Sequence, residues 1–141
     1  MTMKRELLLF RHGKSDWNTG VDDFCRPLKD RGKRGAQRIG VWLAQRRIVP
    51  DHIVTSPAQR ALVSAQKACK AMGNGDKGMQ RDKRIYAAGI DELLEVLGDC
   101  PDSAGRVMLV GHNPGLEELL VWLASEAVPV PEDGKGTDGG E

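Results

Sequence analysis

The chain is poor in aromatic residues, sparing of cysteine and almost without net charge. Three Trp, two Phe and one Tyr among 141 residues leave little surface on which bases could stack. A formal net charge of +1 gives no general attraction to a polyanion, and both features argue against a nucleic-acid-binding protein. No apolar run approaches the roughly 20 residues of a membrane span, and no charged-then-apolar leader opens the sequence, so no membrane association is expected. Cys25, Cys69 and Cys100 are widely spaced with no CxxC pair. They predict free thiols in a reducing cytoplasm rather than a disulfide frame or a zinc site. Cys25 reads as an ordinary loop cysteine rather than an oxidation-sensitive thiol.

The chain does contain a corner that recurs. Leu7-Leu8-Leu9-Phe10-Arg11-His12-Gly13 delivers an Arg-His pair from an apolar run onto a glycine. The run from Glu6 to Phe10 is short and bounded, which predicts a central parallel strand. Ligands of open α/β sheets bind beyond the carboxyl ends of such strands, and Gly13 permits a sharp turn or a close backbone approach there. A permanent cation beside an imidazole at that place suits phosphate. The plainer reading is a strand-end His with Arg11 in a surface ion pair. A second strand, His52 to Thr55, runs into Ser56-Pro57-Ala58-Gln59-Arg60. Ser56 is a good N-cap, Pro57 fits the first helical position, and Arg60 one turn later leans back over the strand end. A third strand, Val107 to Val110, stops at Gly111 and presents His112, with Asn113 as cap and Pro114 opening the next helix. Each corner leads into free backbone N–H groups that favour an anion.

Apolar residues at helical spacing predict four helices: Ala36, Ile39, Gly40 and Leu43; Ala61, Leu62, Ala65, Ala68, Cys69 and Met72; Ile90, Leu93, Leu94 and Leu97; Leu116, Leu119, Leu120 and Leu123. Met79 to Tyr86 reads as a fourth strand despite its charges. The order β-α-β-α-β-α-β-α predicts an α/β fold, a mostly parallel central sheet with helices on both faces. One domain of this length buries a sizeable core. The run Lys29-Asp30-Arg31-Gly32-Lys33-Arg34 is basic. Such runs are ordinarily solvated faces; beside the predicted site this one is placed to steer an acidic or phosphorylated partner.

Four segments taken in order resemble the histidine phosphatase superfamily, the phosphoglycerate-mutase-like folds, and more narrowly its phosphohistidine phosphatase branch. They are Arg11-His12-Gly13-Lys14, Arg26-Pro27-Leu28, Ser56-Pro57-Ala58-Gln59-Arg60-Ala61 and Gly111-His112-Asn113-Pro114. The resemblance implies that His12 attacks phosphorus, forming a phosphohistidine that water then hydrolyses. Much imidazole is unprotonated at neutral pH, as a nucleophile must be. Arg11 and Arg60 would clamp the phosphoryl oxygens, and His112 would donate to them as imidazolium. Gly13 and Asn113 would help bind the group, and Arg26 matches the extra arginine of the narrower branch. The other reading of Arg26 packs it on Trp17 or pairs it with Asp22 or Asp23. No cofactor and no metal is called for.

The resemblance leaves the proton donor open. Asp23 and Glu92 are the two candidates, and Asp23 is preferred because its loop follows the nucleophile. Without a committed acid the site should favour phosphoramidates over alkyl phosphate esters, since imidazole leaves more easily than an alkoxide. The expected activity is hydrolysis of phosphohistidine in proteins, with a phosphohistidine-containing protein or a phosphorylated small molecule as partner. The alternatives are a general small-molecule phosphomonoesterase or mutase and a non-catalytic phosphate- or phosphoprotein-binding module. Gly13-Lys14-Ser15 is not a P-loop, because Leu8 stands where that motif needs glycine. A metal on His12 and His112 is disfavoured by the two arginines beside them. Residues 1–126 are expected to form the phosphatase domain and 127–141 a Pro/Gly-rich, disordered tail. The resemblance implies one more strand after this region; a sheet lacking it would expose backbone and apolar surface and be less stable or self-associate.

Overall fold

The computed structural model describes residues 5–12, 16, 20–74 and 79–127; Gly13 and residues 128–141 lie outside them. The elements alternate as expected: β1 (Glu6–Arg11), α1 (Asp30–Gln45), β2 (His52–Thr55), α2 (Gln59–Met72), β3 (Met79–Arg81), α3 (Ile90–Gly98), β4 (Arg106–Gly111) and α4 (Gly115–Ala127). Two single 3-10 turns, Asp23–Cys25 and Lys83–Ile85, interrupt the connections. All pairings are parallel and the strand order is β1-β4-β2-β3.

Two expectations are corrected here. Among the described residues β1 stands at an edge, with β4 and β2 inside. Its leucines are only half-buried; helices cover both faces, so an edge strand reads as apolar as a central one. The strand expected from Met79 to Tyr86 ends at Arg81. There the Asp82 side chain accepts from the Arg84 N–H at 2.9 Å and turns the chain into a 3-10 helix.

Strand alternation sorts the core into two layers. Ile53, Met108, Val110, Leu8 and Phe10 face α1 and α2, whereas Val54, Val107, Leu109, Leu7 and Leu9 face α3 and α4. Helix α1 buries Gly32, Ala36, Gly40 and Leu43, but Ile39 of its expected stripe is 39% exposed. On α4 Leu116 and Leu119 are buried, while Leu120, Val121 and Trp122 stay exposed.

Small residues let α1 and α2 approach closely. A Cβ on Gly40 would strike the Ala68 carbonyl oxygen and stand 2.8 Å from the Ala71 Cβ. Gly40→Ala is therefore expected to cost about 3 kcal/mol by forced overpacking. Gly35→Ala, whose Cβ meets nothing within 4 Å, should add about 0.5–1 kcal/mol of helix propensity. Urea midpoints of the two variants test the contrast.

Candidate active site

The strand order places the carboxyl ends of β1, β4 and β2 side by side, and each contributes to one site. His12 follows β1, its N–H donating to the Gly111 carbonyl at 3.3 Å. His112 follows β4, with its ring centroid 5.1 Å from that of His12. Ser56 follows β2 and accepts the Ala58 N–H at 3.2 Å. Helix α2 begins at Gln59, two residues later than expected of a Ser56 cap, and Ser56 instead contacts a catalytic candidate. Its Oγ lies 2.8 Å from His112 Nε2. The other ring nitrogen, Nδ1, is buried and has no hydrogen-bond partner among the described residues.

Asp23 ties the cationic side together. Its Oδ1 accepts from Arg26 Nη2 at 2.9 Å and its Oδ2 from Arg60 Nη2 at 3.0 Å. The Tyr86 hydroxyl donates to the same Oδ2 at 2.6 Å, and Arg60 Nη1 donates to the Asp23 carbonyl at 2.6 Å. Arg26 and Arg60 are 6% and 5% exposed, so a single carboxylate pairs with two buried guanidiniums. Among the described residues the Arg60 Nε is buried without a hydrogen-bond partner. Arg26 thus does pair with Asp23, as its plainer reading allowed, and also lines the cleft; Trp17 lies outside the described residues.

These contacts weigh against Asp23 as a proton donor. The Tyr86 hydroxyl first, then the Arg26 and Arg60 guanidiniums, hold its carboxyl well below the usual carboxylate range. In this arrangement it is an anion and an ion-pair partner. Glu92 is also occupied, its Oε1 accepting the Gly89 N–H at 2.8 Å at the start of α3. His112 departs from expectation too: burial, then Arg60 and His12, push it down to about 4. It stands neutral at pH 7 and offers one N–H, not an imidazolium. Cys25 is exposed, and Asp22 pushes its thiol up, against a reactive role.

An open cleft of about 1070 Å³ gathers Arg11, His12, Arg26, Arg60, His112 and Asn113, and no carboxylate is among its lining residues. Among the described residues no cluster suits a metal ion, and no helix is long and apolar enough to cross a membrane. Tyr86 was not anticipated. It packs edge-on to His112 and to Phe24, with centroids 5.8 and 5.1 Å away. The available signal was its being the only tyrosine of the chain, just before the Ala87-Ala88-Gly89 turn into α3.

Residues 7–86 match the model of the histidine phosphatase superfamily, branch 1. The chain belongs to that superfamily. Relatives extend the likeness across the rest of this histidine phosphatase. An uncharacterised Mycobacterium tuberculosis protein is 31% identical over 115 residues, 82% of this chain and 70% of that protein. A 2,3-bisphosphoglycerate-dependent phosphoglycerate mutase from Bifidobacterium longum is 32% identical over 92% of this chain, but the chain spans only 50% of the mutase. Among solved structures, a protein from Agrobacterium tumefaciens assigned as the phosphohistidine phosphatase SixA superposes with a TM-score of 0.79 at 30% identity. The match covers 89% of this chain and 80% of that one.

Two outcomes test the electrostatics of the histidine phosphatase site. The His112 ring should titrate near pH 4 in the free protein by NMR and at higher pH with tungstate bound, because a dianion offsets Arg60 and His12. A midpoint near 6.5 in the empty site contradicts the burial argument. Asp23→Asn removes the anion that competes for both guanidiniums. It should tighten inorganic phosphate binding about tenfold, about 1.4 kcal/mol by calorimetry.

Proposed function

We propose that this phosphatase hydrolyses phosphohistidine in proteins through a covalent intermediate on His12. The observation that carries the reading is a cleft lined by guanidiniums and imidazoles with no carboxylate in its lining, Asp23 being ion-paired to Arg26 and Arg60 and Glu92 bonded to the Gly89 N–H. A neutral His12 ring nitrogen attacks phosphorus, and the P–N bond to the substrate imidazole breaks. Arg11, Arg26, Arg60 and His112 stabilise the charge on the transferred oxygens. The leaving imidazole takes its proton from solvent in the open cleft. Water then attacks the His12 phosphoryl group, releasing phosphate and regenerating the ring. An alkoxide leaving group would need a positioned acid, which is why the committed carboxylates favour a phosphoramidate.

The rival is a small-molecule phosphomonoesterase or mutase, favoured by the likeness to the Bifidobacterium mutase. It requires a carboxylic acid over the leaving group, and neither Asp23 nor Glu92 is free to serve. Cys25, Cys69 and Cys100 form no disulfide among the described residues, which suits a protein at work in a reducing cytoplasm.

Phosphate release from a phosphohistidine-bearing protein and from an aryl phosphate separates these readings. Wild type should act on the former in preference, His12→Ala should release nothing, and Arg60→Ala should lose about 10²–10³-fold in kcat. Preference for the ester would favour the phosphomonoesterase. Phosphate binding without turnover of either would leave a binding module.

A further inference from the structure

Helix α1 carries a row of cations that no carboxylate answers. Lys29, Arg31, Arg34 and Arg38 line the cleft alongside Arg11 and Arg60. All four are exposed, and none forms an ion pair among the described residues. The acid within the run, Asp30, pairs with Lys33 at 3.7 Å instead. In a chain whose formal net charge is +1, this concentrates positive potential along one face.

The row leads away from the reacting centre to an apolar end. Arg31, Arg34, Arg38, Val41, Trp42 and Gln45 recur at three- and four-residue intervals and share one side of the helix. A second hollow of about 520 Å³ continues along it, with Arg34 and Arg38 lining both and Val41 and Trp42 at its far end. Val41 and Trp42 are 45% and 46% exposed, and the Arg46 guanidinium lies over the Trp42 ring at 5.0 Å. At 1.5 Å per residue, Arg31 and Trp42 are separated by about 16 Å along the axis. A phosphorylated metabolite held at His12 does not span that distance. A folded protein does.

We propose that the exposed face of α1 from Arg31 to Trp42 docks the acidic face of a phosphorylated protein while its phosphoryl group enters the cleft at His12. The occupant carries carboxylates opposite Arg31, Arg34 and Arg38 and an apolar side chain against Val41 and Trp42. Unpaired cations ending in an aromatic anchor match an interface of rim charges around a buried contact. A nucleic acid fits less well, because Arg46 already covers a face of Trp42, the tryptophan on this surface. This inference rests on the protein-phosphohistidine reading and adds where that protein binds.

The test uses a histidine-phosphotransfer domain phosphorylated by phosphoramidate, with phosphoramidate itself as the small substrate. Two variants are compared with wild type: Arg31→Glu/Arg34→Glu/Arg38→Glu, and Trp42→Ala, all at exposed positions outside the catalytic set. The charge reversal should lower kcat/KM for the domain at least tenfold, mostly through KM and less so at high salt. Trp42→Ala should lower it about threefold and turn over phosphoramidate within about twofold of wild type. The charge reversal, which alters the cleft lining, should cost phosphoramidate several-fold less than it costs the domain. Equal losses on both substrates, or none on the domain, overturn the docking. Calorimetric binding of the unphosphorylated domain reads the surface without turnover. Binding that the variants lose supports docking even if wild type hydrolyses nothing, a result that would overturn the phosphohistidine reading alone. Binding of single-stranded RNA that the variants lose, with no binding of the domain, overturns the proposal.

Discussion

Two guanidiniums buried side by side repel each other and forfeit hydration, so the pocket formed by Arg26 and Arg60 depends on the carboxylate between them. Asp23 bonds both at 2.9–3.0 Å, and Tyr86 holds its second oxygen from the far side. Removing one partner of a buried ion pair costs several kcal/mol, and Arg60 is only 5% exposed. The arrangement also constrains the chemistry. The carboxylate that permits the cations to be buried is one that cannot carry a proton at neutral pH. The site is therefore strong in charge neutralisation and weak in acid catalysis, a combination suited to a leaving group that departs readily.

The sheet supplies the frame for that arrangement. With β4 between β1 and β2, the ends bearing His12, His112 and Ser56 are neighbours, while β3 lies outside them. Ser56 and Tyr86 then bracket His112, one through a hydrogen bond and one through an edge-on ring contact. Gly115 allows α4 to begin there at all: a Cβ would stand 2.7 Å from the Ala88 carbonyl oxygen, in the loop that presents Tyr86. The histidine corner and the tyrosine loop are held against each other by that close approach.

Charge organises the molecule on a larger scale. The cations of α1 and the arginines of the cleft form one continuous face, whereas acids such as Asp51, Asp82 and Glu6 are spent on backbone N–H groups or arginines elsewhere. Crowding of positive charge together with burial keeps His112 neutral until an anion arrives. The site suits a dianion, and the Asp23 carboxylate competes with it for the guanidiniums of Arg26 and Arg60.

The sequence by itself determined the alternation of strands and helices, the three corners, and the meeting of Arg11, His12, Arg60 and His112. These are local matters: an apolar run, a glycine or Ser-Pro stop, and a helix start dictate where each side chain emerges. Tertiary structure decided what depends on distance in space rather than along the chain. The edge position of β1 follows from β4 inserting beside it after 95 or so residues. The shift of His112 follows from burial beside Arg60 and His12, residues remote in sequence. The recasting of Asp23 from acid to ion-pair partner required Arg60 and Tyr86, 37 and 63 residues away, to converge on one carboxylate. Spacing reports which groups emerge at a corner, but a proton's location depends on every charge that folding brings near it.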